Sequence, residues 1–151
     1  MGFDLNNLNP GEWFRYFNSH ITEAGETVYH DPAPDAERVC IKMLDPEILE
    51  EIQKKTRKRI SEFVLNPRTR VMERVVYFDQ TPEQEKLERE MTWDAIITGW
   101  EIKTPDDAPI PCTMVNKVRM MTHPPFARFV ARCLQISASA RKEADEAAEK
   151  N

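Results

Sequence analysis

The chain has 151 residues, of which 31% are charged and 40% hydrophobic, and its net charge is -5. That is the balance of one globular domain, large enough to bury roughly two thirds of its unfolded surface without help from a metal or a disulfide. The mild acidity argues against a wholesale nucleic-acid coat and leaves room only for a local basic patch.

Residues 1–11 read as a polar arm that ends at the turn signal Pro10-Gly11. The arm has neither the basic nor the apolar region of a signal peptide, so none is expected. No apolar stretch is long enough to span a membrane. The aromatic run Trp13, Phe14, Tyr16 and Phe17 suits a strand, and Glu26 to His30 suits a second. A loose loop from about Asn18 to Gly25 would join them as a hairpin, which Pro32 and Pro34 end. Arg38 to Leu44 predicts a third strand, with Val39, Ile41 and Met43 alternating with Arg38, Cys40 and Lys42.

Asp45-Pro46 opens a helix, with Asp45 as the cap and Pro46 where a missing N–H costs nothing. Its apolar positions are Ile48, Leu49, Ile52 and Ile60. Asn66-Pro67 breaks the chain. Arg70 to Asp79 is rich in β-branched and aromatic residues and reads as a strand, a continued helix through Met72, Val75 and Val76 being the alternative.

Thr81-Pro82-Glu83-Gln84 is a capping box and predicts a helix to about Gly99. The acidic, proline-rich segment Lys103 to Pro111 predicts an exposed loop. Thr113 caps a short helix to about Met121, and His123-Pro124-Pro125 starts a last helix striped by Phe126, Phe129, Val130, Cys133, Leu134 and Ile136. The expected architecture is therefore α+β: a small antiparallel sheet or hairpin in the N-terminal half packed with a helical C-terminal half. It forms a single domain over 1–137, followed by a charged helical or disordered tail over 138–151.

Candidate chemistry is sparse. His20, His30 and Cys40 are ten residues apart, whereas zinc ligands come in pairs about two to five apart, so no metal is expected. Cys133 and His123 lie roughly 15 Å apart along one helix, beyond hydrogen-bond reach. The three cysteines, Cys40, Cys112 and Cys133, are odd in number and widely spaced, and read as free thiols in a reducing cytoplasm. The four glycines are isolated and make no phosphate-binding loop. No catalytic residue and no cofactor is expected.

Two features suit a partner. Lys54, Lys55, Arg57, Lys58, Arg59, Arg68, Arg70 and Arg74 cluster against only Glu62 and Glu73. They form a solvated basic face, docking charge for an acidic protein, or a nucleic-acid patch. Phe126 and Phe129 are core material first and, on a helix after a loop, candidate partner anchors. The candidate partner-binding residues are Lys54, Lys55, Arg57, Lys58, Arg59, Phe126 and Phe129.

The segment Trp93-Asp94-Ala95-Ile96-Ile97-Thr98-Gly99-Trp100-Glu101 precedes the acidic loop. Pro109-Ile110-Pro111-Cys112-Thr113, Asn116-Lys117 and Phe126-Ala127-Arg128-Phe129-Val130 follow it. Over about 88–136 this succession resembles the tail assembly chaperones of long-tailed bacteriophages and prophages. The resemblance implies a non-enzymatic protein of the host cytoplasm. Such a protein coats the long helical tape-measure protein until tail-tube protein polymerises around it, through many weak contacts. It also implies a longer, frameshifted form, extended beyond the tail after Ser137. Two other readings stay open: a minor tail or connector protein of the virion, and a small nucleic-acid-binding module using 54–74. Self-association is compatible with all three.

Overall fold

The computed structural model describes residues 11–149, so all but Gly11 of the arm expected over 1–11 falls outside the described residues. In chain order the elements are β1 (Glu12–Arg15), β2 (Ser19–Ile21), β3 (Thr27–Tyr29), β4 (Arg38–Ile41) and α1 (Pro46–Thr56). Then come β5 (Lys58–Leu65), β6 (Met72–Asp79), α2 (Pro82–Ile96), β7 (Ile97–Trp100), α3 (Met114–Met121) and α4 (Pro124–Glu149). The class is α+β. The chain divides into two compact units: the described residues up to Leu44 with those from Trp93 on, and Asp45–Thr92.

The first unit is built on α4. Phe126, Phe129, Val130 and Cys133 recur at helical spacing and are all buried. They pack with Val39 and Ile41 of β4, Ile96, Ile97 and Ile102 into one core. Its sheet is antiparallel in the order β1-β4-β7. Tyr16 and Phe17 meet the Phe129 ring edge-on at centroid distances of 5.1 and 4.9 Å, the geometry aromatic quadrupoles favour. At the sheet margin Gly11 has φ +92, and a Cβ there would come within 3.0 Å of Cys40 Sγ. Only glycine takes that backbone without strain.

The expected hairpin between Trp13–Phe17 and Glu26–His30 is not what forms. The expected loop contains β2, which pairs with β3, while β1 pairs with β4. β4 does not alternate inside and out, because Val39, Cys40 and Ile41 are all buried. This is the pattern of a central strand covered on both faces. The helix expected to run to Gly99 stops at Ile96, and Ile97 to Trp100 pair with β4 instead. Residues 138–149 continue α4 as helix with every side chain exposed.

The second unit holds α1, the β5–β6 hairpin and most of α2. Asp45 precedes α1 without a side-chain cap bond, and Pro46 takes the first turn as expected. The helix ends at Thr56, short of the expected Ile60, which belongs to β5. At the start of α2 both halves of the capping box are made. Gln84 N–H donates to Thr81 Oγ1 at 3.2 Å, and Thr81 N–H donates to Gln84 Oε1 at 2.9 Å. Near its middle, Glu88 accepts from Arg57 Nε at 2.8 Å and from Gln80 Nε2 at 3.3 Å.

Candidate protein-binding surface

Asn66 makes the β5–β6 turn. Its N–H bonds Val71 O at 2.9 Å, its carbonyl accepts from Arg70 N at 2.8 Å, and its side-chain oxygen accepts from Arg68 N at 2.9 Å. Arg70 closes the turn with φ 55, in the left-handed region. From there the two eight-residue strands pair in unbroken register from Leu65↔Met72 to Lys58↔Asp79. Side chains on directly opposed residues share a face, and successive residues alternate.

One face carries Arg59, Ser61, Phe63 and Leu65 opposite Phe78, Val76, Arg74 and Met72. The other carries Lys58, Ile60, Glu62 and Val64 opposite Asp79, Tyr77, Val75 and Glu73. Every residue of the two strands except Ile60 is exposed, with Phe63 at 70% and Phe78 at 62%. Both faces thus present large apolar side chains to solvent. Clusters of exposed apolar side chains often mark surfaces on which other molecules dock. An isolated two-stranded hairpin is also marginal by itself and gains most from being covered.

Polar bonds fix the strands in register. Arg74 Nε donates to Ser61 Oγ at 2.8 Å, and the Tyr77 hydroxyl donates to Glu62 Oε1 at 2.9 Å. That bond to a carboxylate holds the Tyr77 phenol above its ordinary range.

The candidate basic residues separate. Lys54 and Lys55 close the last turn of α1, and Lys54 faces Glu50 at 3.7 Å. Arg57 is tied to Glu88. Lys58 and Arg59 start β5 and point to opposite faces, Lys58 opposite Asp79 and Arg59 opposite Phe78. Arg68 and Arg70 lie in the turn. The segment is therefore not one continuous basic stripe, because strand alternation distributes it.

Phe126 and Phe129 do not serve as exposed anchors. They are 1% and 0% exposed, since their helical spacing turns both rings into the core of the first unit. The exposed aromatic rings the sequence reading passed over are Phe63 and Phe78. Their signal lies in the β-branched and aromatic runs Phe63-Val64-Leu65 and Val75-Val76-Tyr77-Phe78, the first masked by the lysines and arginines that precede it.

The residues carrying the family resemblance are bonded to one another. Trp100 Nε1 donates to Ile110 O at 2.7 Å, and Asn116 Nδ2 donates to Pro111 O at 2.9 Å. Asn116 N–H donates to the Thr113 cap at 3.3 Å. Lys117 Nζ donates to Asp94 Oδ1 at 2.8 Å and Asp94 O at 3.0 Å. This pattern holds β7, the loop and α3 in place.

None of the three cysteines is in a disulfide. Cys40 and Cys133 are buried and Cys112 half-buried, and burial pushes the Cys133 thiol up to about 12, so it stays protonated at neutral pH. His20 Nδ1 and His30 Nε2 lie 2.7 Å apart and share a hydrogen bond. Among the described residues no group of three or more His, Cys, Asp or Glu is placed to hold a metal. Among them, too, no helix is long and apolar enough to cross a membrane.

No protein-family model matches the chain, and comparison with curated proteins and with solved structures gave no match.

Proposed function

We propose that this chain is a non-enzymatic binding protein of the tail assembly chaperone kind, which holds an aggregation-prone tape-measure-like client in the host cytoplasm. The observation that carries the reading is the β5–β6 hairpin, with exposed apolar side chains on both faces. Such a surface offers general apolar contact without demanding one sequence, which suits a long client gripped repeatedly by many copies. The succession of motifs from Trp93 to Val130 supports the family. Its internal bonds give those residues a structural role and leave the hairpin to do the binding.

The experiment is co-expression with a phage tape-measure protein, reading the soluble fraction of the client. Soluble client that co-purifies with this chain supports the reading. Client that aggregates to the same extent with and without it contradicts the reading.

A further inference from the structure

The two hairpin faces differ in charge. The face of Phe63 and Phe78 carries Arg59 and Arg74 and no carboxylate, while the opposite face carries Glu62, Glu73 and Asp79 against Lys58 alone. Among the described residues no carboxylate lies within ion-pair distance of Arg59 or Arg74. Arg74 spends only its Nε on Ser61. The cationic face continues into a cleft of about 600 Å³ floored by Val76 and Phe78. Lys54, Arg57 and Arg59 line it too, Lys54 facing Glu50 and Arg57 bonded to Glu88, so the charge it offers a partner is chiefly that of Arg59.

We infer that this face and its cleft take an acidic amphipathic helix of the client. The inference rests on the binding role proposed above and adds the chemistry of the partner. Apolar side chains along the face, Phe78, Val76, Phe63, Leu65 and Met72, bury the apolar stripe of such a helix, as a helix covers a sheet in a two-layer domain. Arg59 and Arg74 then meet carboxylates flanking that stripe. Guanidinium forks pair bidentately with carboxylates, and the pairing gains strength where the apolar contact excludes water. An eight-residue strand is about 27 Å long, which a helix of about 18 residues matches. A basic helix meets uncompensated like charge there.

The test uses the full chain and two fluorescein-labelled 18-residue helical peptides, identical in their leucine stripe. One is flanked by glutamate and the other by lysine, and binding is read by fluorescence anisotropy. The acidic peptide should bind at least about tenfold tighter in low salt, the preference shrinking as salt screens it. Arg59→Glu/Arg74→Glu should reverse the preference, and Arg59→Gln/Arg74→Gln should erase most of it. Near-UV circular dichroism should stay unchanged in both, because these side chains are exposed. Equal binding of the two peptides, or a preference that survives charge reversal, overturns the inference. So does tighter binding of an 18-nucleotide single-stranded DNA than of the acidic peptide. If the chain keeps a tape-measure protein soluble yet shows no charge preference, the partner chemistry fails and the holding role stands. Charge preference without client holding leaves the inferred surface chemistry in place and contradicts the chaperone role.

Discussion

Phe63 on β5 stands directly opposite Arg74 on β6, so an exposed aromatic ring and a guanidinium share one face of a two-stranded sheet. Neither side chain is needed to fill the core of the first unit. Covering a Phe side chain completely is worth about 1.5–3 kcal/mol, and in the free chain Phe63 and Phe78 have most of that gain still to make.

Phe63→Ser/Phe78→Ser should therefore abolish client holding while changing stability little, within about 0.5 kcal/mol per exposed site. Both substitutions lie in the second unit, whereas all three tryptophans, Trp13, Trp93 and Trp100, lie in the first, so urea unfolding is followed here by far-UV circular dichroism, which reads both units, and tryptophan fluorescence is kept for the first. Neither unit's transition should move. Failure to hold client, accompanied by an early unfolding transition, would contradict this assignment.

Phe129→Ala should behave oppositely. Its ring is 0% exposed and contacts Tyr16, Phe17 and Phe126, so the substitution leaves a cavity costing about 3–5 kcal/mol. The tryptophan transition should shift to markedly lower urea. A variant as stable as the parent but defective in binding would restore Phe129 to the partner surface.

Lys117 and Asp94 form an unequal pair: the lysine side chain is 9% exposed and the aspartate 44%. Asp94→Ala strands a buried ammonium on one backbone carbonyl and should cost about 1–3 kcal/mol. Lys117→Met keeps the stem's packing while removing the charge, and should be nearer neutral. The same urea measurement checks the order. Equal losses would mean that the pair itself, not the stranded charge, sets the cost.

Much of this fold was legible in local chemistry. The box at Thr81 and Gln84, the Thr113 cap and the α4 stripe each specify their element from neighbouring residues, and each forms. β7 was not legible, because Ile96 and Ile97 continue the preceding helical pattern. Pairing with β4 decides the outcome, and Ile97, Thr98 and Trp100 have the strand preference to accept it. β5 was hidden for a related reason: Ile60 falls eight residues after Ile52, in phase with α1, although Phe63, Val64 and Leu65 suit a strand. Misplacing β5 also hid the Phe63 face of the hairpin, since only the β5–β6 register sets Arg59 and Phe63 on one face with Arg74, Val76 and Phe78.

Cys133 makes stability depend on pH on the alkaline side. Burial raises its folded value to about 12 from an ordinary value near 9.0, with a smaller contribution from Glu12. The neutral thiol is thus favoured in the folded state. Its contribution is complete below pH 9 and is lost as pH rises toward 12, because the unfolded chain deprotonates first. Cys133→Ala should flatten the fall of stability over that window, whatever it costs at neutral pH. An unchanged slope in urea unfolding between pH 8 and pH 10 would contradict the burial argument.

The most direct test of the central claim is the soluble yield of a tape-measure protein co-expressed with the parent chain or with Phe63→Ser/Phe78→Ser. Client that is soluble and co-purifies with the parent, but aggregates with the equally well folded variant, is the predicted result. Client held equally well by both would show that the hairpin is not the binding surface, and client held by neither would contradict the chaperone role itself.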